Sequence, residues 1–97
     1  MVVIFLANKI YLFSYETENA VTKASIEAIM DDLYDVLNIF NKNVYLIKTE
    51  DDLSILDKYI QTYLKIDDRY ILVDITEQPL NYNNLNATDP NYWFYNI

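Results

Sequence analysis

Two spacings of apolar residues alternate along this chain. Period-two alternation marks strands, and spacings of three and four mark helices. From Lys9 to Tyr15 nearly every residue is β-branched, aromatic or aliphatic, which predicts a strand. Val2–Leu6 is equally apolar and reads either as an upstream extension of that strand or as a short strand of its own. Glu16 to Val21 is polar and predicts a loop, after which Thr22 is a candidate N-cap. Ile26, Ile29, Met30, Leu33, Leu37 and Phe40 then recur at helical spacing and predict a helix from Lys23 to about Asn38. An extra short strand is expected near Asn38–Asn41, a turn at Asn41-Lys42-Asn43, and a strand from Val44 to Lys48. Thr49 is placed to cap a second helix, with Asp52 as its capping-box partner. Glu50, Asp51 and Asp52 complement the positive end of that helix. Leu53, Leu56, Ile60 and Leu64 form its apolar stripe, and Arg69 leads into a last strand from Tyr70 to Ile75.

The pattern breaks after Thr76. Glu77 to Asn91 is polar and holds five asparagines and both prolines, and Tyr92-Trp93-Phe94-Tyr95 is densely aromatic. The chain therefore divides into a domain over residues 1–80 and a loop with an aromatic arm over 81–97, which is expected to dock on the domain or on a partner. Two helices interleaved with strands predict an α/β sandwich, with both helices on one face of a small, mainly antiparallel sheet. The split βαβ, ferredoxin-like plan is the commonest small version.

Alternation also divides each strand into two sides. Ile10, Leu12 and Ser14 share one side with Val44, Leu46, Ile71, Val73 and Ile75, and the other is rich in tyrosine. The aliphatic side is expected to receive the helices. Tyr11, Phe13, Tyr15, Tyr45 and Tyr70 would then face outward and, with Trp93 of the arm, form the face of a homodimer or a partner complex.

Composition narrows the chemistry. The 97 residues contain no histidine, cysteine or glycine, which removes Cys/His zinc sites, disulfides, a thiol nucleophile, a histidine base and every glycine-rich phosphate loop. Asp and Glu number 15 against 7 Lys and Arg, a net charge of −8, so direct nucleic-acid binding is not expected. Asn, Ile, Tyr and Lys are heavily used, a bias of AT-rich coding sequences such as those of many low-GC bacteria, archaea and their viruses. No apolar run is long enough to span a membrane, and the start lacks the basic region of a signal peptide, so a cytoplasmic protein is expected, in the host cytoplasm if the chain is viral. Glu27, Asp31 and Asp35 fall at i, i+4 and i+8 of the predicted first helix, about 6 Å apart along its axis. Like charges at this spacing repel mildly. They form either a solvated helix face or a row of phosphate mimics that occupies a basic groove on another protein. Asp74 is placed either to pair with Lys48 or to lend a carboxylate to a dimer axis.

Tyr11-Leu12-Phe13-Ser14-Tyr15-Glu16-Thr17, Val44-Tyr45-Leu46-Ile47-Lys48-Thr49 and Asp68-Arg69-Tyr70-Ile71-Leu72-Val73-Asp74-Ile75-Thr76 resemble the strands of the SinR-like group. That group is related to the CRISPR-associated adaptation subunit and to the VapD-type ribonucleases. With both helices the resemblance covers about residues 9–76. It implies a ferredoxin-like fold, a symmetric dimer and, for the catalytic branch, metal-dependent RNA or DNA cleavage. There an aspartate at the end of the first strand holds the divalent metal across the dimer axis, and the matching residue here is Glu16. A glutamate moves the carboxylate by about one methylene, which matters to the near-octahedral shell of magnesium. Two expectations result. One is a non-catalytic acidic interaction protein without a cofactor, of the anti-defence or anti-CRISPR type, that binds a basic nucleic-acid-handling protein through Glu27, Asp31 and Asp35. The alternative is a Mg2+-dependent endoribonuclease with Glu16 as metal ligand and catalytic residue. A structural or toxin–antitoxin partner with no site is a third reading.

Overall fold

The structure, a computed structural model, describes residues 8–33, 35–39, 43–79 and 81. In chain order the elements are β1 (Lys9–Glu16), α1 (Ala20–Leu33), β2 (Asp35–Asn38), β3 (Val44–Thr49), α2 (Leu53–Gln61) and β4 (Arg69–Asp74). The four strands form one antiparallel sheet in the order β2-β3-β1-β4. This small α+β domain is compatible with a ferredoxin-like sandwich. Among the described residues no helix is long and apolar enough to cross a membrane.

The register places Phe13 opposite both Tyr45 of β3 and Leu72 of β4, and Tyr11 opposite Ile47 and Asp74. Directly opposed residues share a face. One face therefore carries Tyr11, Phe13, Tyr15, Tyr45, Ile47, Tyr70 and Leu72, and here the expectation from alternation is overturned. Tyr11, Phe13, Tyr15, Tyr45 and Ile47 belong to one buried cluster with Ile26, Ile29 and Met30 of α1 and Leu56 and Ile60 of α2. The helices cover the tyrosine-rich face, and these tyrosines are the domain's own core.

Two physical reasons favour this arrangement. The rings bring the larger buried area, and they stack: Phe13 lies 5.4 Å from Tyr15 with planes 12° apart, and Tyr45 lies 6.5 Å from Tyr15 at 12°. Some hydroxyls also reach polar partners at the rim, as where Tyr11 Oη donates to the Asp51 carbonyl at 2.8 Å. Tyr70 is the exception, 37% exposed at the sheet edge. The aliphatic side has its own smaller cluster of Ile10, Ile39 and Leu46, with Leu12, Leu37, Val44 and Ile75 packed against it.

Both helix starts also differ from expectation. Asn19 begins α1, its Oδ1 accepting from the backbone of Val21 at 2.9 Å and Thr22 at 3.1 Å, whereas Thr22 is buried. Asp52 is the N-cap of α2, accepting from Ile55 N at 3.0 Å, while Thr49 Oγ1 accepts from Asp51 N in the preceding turn. Helix α2 ends at Gln61, and Leu53 is 42% exposed rather than part of a buried stripe. Helix α1 ends at Leu33, and the chain is already extended at Asp35.

Candidate interaction surfaces

Helix α1 packs Ile26, Ile29 and Met30 inward, a spacing that leaves Lys23, Glu27, Asp31 and Asp32 exposed. Glu27 and Asp31 stand one turn apart, with Lys23 one turn before Glu27. Among the described residues neither acid is in an ion pair. The pair reaches inward only electrostatically: Tyr45 is held above the ordinary tyrosine value mainly by burial, with Glu27 and Asp31 adding to the shift.

Asp35 does not continue this row. It lies on β2 opposite Lys48 of β3, and its carboxylate is 3.8 Å from the Lys48 ammonium. The Asp35 side chain is 59% exposed and that of Lys48 only 5%. The change from helix to strand between Leu33 and Asp35 turns Asp35 onto the sheet face away from the helices. Asp74 does not pair with Lys48, because β1 separates β4 from β3. Its Oδ1 accepts from Thr76 N at 2.9 Å, and hydrogen bonds from Thr76, side chain first, hold its carboxyl below the usual range.

Glu16 is exposed at the end of β1, opposite Arg69 of β4. Ser14, Glu16, Arg69 and Ile71 line a shallow recess of about 210 Å3 there. Among the described residues no three acidic side chains gather where a metal ion could be held. Trp93 and the rest of the aromatic arm lie outside the described residues.

One surface escaped the sequence reading. A groove of about 880 Å3 opens between α2 and β4, lined by Leu53, Asp57, Lys58, Gln61, Tyr70 and Leu72 among others. Three of its lining residues, Asp57, Gln61 and Tyr70, form a hydrogen-bonded triad. Tyr70 Oη donates to Asp57 Oδ1 at 2.7 Å, and Gln61 Nε2 donates to Asp57 Oδ2 at 2.7 Å and to Tyr70 Oη at 3.1 Å. The bond to Asp57 stabilises the protonated phenol and raises the Tyr70 pKa. The i, i+4 spacing of Asp57 and Gln61 was visible in the sequence, but their meeting with Tyr70 depends on how α2 lies beside β4. Strand β4 is exposed at five of its six positions, with Ile71 56% and Val73 37% accessible.

No protein-family model, curated protein or solved structure matches the chain.

Proposed function

We propose that this chain is a non-catalytic interaction protein on a ferredoxin-like scaffold, and that it binds a basic, nucleic-acid-handling protein through the acidic face of α1. The observation that carries the reading is the exposed Glu27–Asp31 pair, with Asp32 beside it, on a helix whose opposite side is anchored in the core. A net charge of −8 strengthens attraction to a basic partner and steers the encounter. Strand order and element order support the scaffold. With Asp35 turned to the other sheet face, the phosphate-mimicking row is shorter than the sequence suggested and consists of Glu27, Asp31 and Asp32.

Competition tests the reading. Proteins of a cell extract are retained on DNA-cellulose at low salt and challenged with the chain at micromolar concentration. A phosphate mimic releases a discrete set of basic proteins. The double variant Glu27→Lys, Asp31→Lys should release them at least ~10-fold less effectively, because like charges brought together across an interface cost several kcal/mol. Equal release by both proteins, or none by the wild type, would refute the assignment to α1.

A further inference from the structure

β4 is an end strand of the sheet, and no described strand pairs with its outer edge. Ile75 N donates to Ile10 O at 2.9 Å, and the β1–β4 register pairs Tyr11 with Asp74 and Phe13 with Leu72. Hydrogen-bonding direction alternates along an antiparallel strand. Arg69, Ile71 and Val73 therefore turn their backbone groups toward β1, and Tyr70, Leu72 and Asp74 turn theirs outward, where no described strand meets them. Natural edge strands are usually kept short, interrupted or charged in the middle. This one is Arg69-Tyr70-Ile71-Leu72-Val73-Asp74, with its charges only at the ends and four apolar or aromatic residues between them.

We infer that β4 is a dimerisation edge, pairing antiparallel with β4 of a second copy about a two-fold axis beside Leu72. The strand is self-complementary in three respects. Its two ends are oppositely charged, so antiparallel pairing brings the Arg69 end of one copy to the Asp74 end of the other, whereas parallel pairing would align like charges. The outward residues are evenly spaced about Leu72. A dyad there sets Tyr70 opposite the partner copy's residue 74 and Leu72 opposite its equivalent, which uses every outward backbone group in about six hydrogen bonds. Ile71 then faces the other copy's residue 73, so the two most exposed aliphatic residues of the strand bury each other. Faces are preserved by this operation, so the grooves beside α2 meet across the axis and the contact extends beyond the strands. Helix α1 packs beside β2, at the opposite end of the sheet, so the dimer leaves its acidic face open. The inference is independent of the role proposed for α1.

The test combines sedimentation analysis of the full chain with amide hydrogen exchange at low and high protein concentration. The wild type should be a dimer in which the amides of Tyr70, Leu72 and Asp74 exchange at least ~10-fold more slowly at high concentration. Ile71→Lys should yield a folded monomer in which those amides exchange freely. Ile66→Lys, at a fully exposed turn position away from the edge, should leave the dimer intact. Three results would overturn the inference: a monomer with freely exchanging edge amides, a dimer that survives Ile71→Lys or leaves those amides unprotected, or protection that does not depend on concentration. The exchange pattern of the wild type decides the matter even if Ile71→Lys does not fold.

Discussion

Replacing Tyr15 with phenylalanine should stabilise the protein, an unusual result for removing a polar atom from a core. Tyr15 is 4% exposed, and its ring stacks with those of Phe13 and Tyr45, which also stack on each other. Its hydroxyl oxygen is buried and has no hydrogen-bond partner among the described residues. Desolvating such a group without compensation costs about 1–3 kcal/mol. Phenylalanine keeps the ring and its stacking, and the small void left by one oxygen returns a few tenths of a kcal/mol. The net gain is about 1 kcal/mol, or a rise in Tm of roughly 4–8 °C for a domain of this size. Urea denaturation should show a higher midpoint with an unchanged slope. Tyr11→Phe is the matched control. Its hydroxyl is bonded to the Asp51 carbonyl, so its removal should cost about 1 kcal/mol. Destabilisation by Tyr15→Phe of the same size as by Tyr11→Phe would refute the reasoning, because it would mean that the Tyr15 hydroxyl is satisfied in solution.

Alkaline pH and the cap of α2 provide two further tests. Burial, first among the causes, raises the pKa values of Tyr11, Tyr15 and Tyr45 above the ordinary 10.0, and the Asp57 hydrogen bond does the same for Tyr70. The unfolded chain therefore ionises first. The tyrosine contribution to stability is complete below pH 10 and is lost as pH rises above it. Urea midpoints should accordingly be insensitive to tyrosine ionisation up to about pH 9 and fall beyond pH ~10, with phenolate absorbance appearing together with unfolding; ionisation of all the tyrosines before unfolding would count against it. Asp52→Ala should cost about 1 kcal/mol in a urea titration, and Thr49→Ala less, because Asp52 holds the helix N-terminus and Thr49 only the turn before it; the reverse order would contradict the cap assignment.

The order of elements was legible because the helices and strands carry clear spacings, and even the short β2 was anticipated, displaced by a few residues. What could not be read was which face of the sheet met the helices. Ile10, Leu12, Val44 and Leu46 on one side are as apolar as Tyr11, Phe13, Tyr45 and Ile47 on the other, so alternation alone carries no sign. Ring stacking and the reach of a hydroxyl such as that of Tyr11 decide between them, and both are tertiary properties. The end of α1 was misplaced for a related reason. Leu37 lies four residues after Leu33 and continues the helical spacing, while Val36 and Leu37 equally suit a strand with one residue on each face. Asp35 moved with that boundary, from the acidic row of α1 to a pairing with Lys48. Glu27 and Asp31, well inside the helix, stayed where the spacing placed them.

The central position of β1 has a consequence for how the chain reaches this structure. β1 is the first described strand to be made, yet its neighbours are β3 and β4, and the Thr76 hydroxyl that accepts from Ile10 N at 2.9 Å lies 66 residues later. At a synthesis rate of 5–20 residues per second, its last contacts arise about 3–13 s after the strand itself. α1, β3 and α2 are made within that interval, but until β4 follows the sheet around Tyr11, Phe13 and Tyr15 is incomplete. Contacts this distant in sequence also slow folding. A nascent chain arrested before β4 would present an aromatic strand with an open edge, which is a substrate for a chaperone or a seed for aggregation.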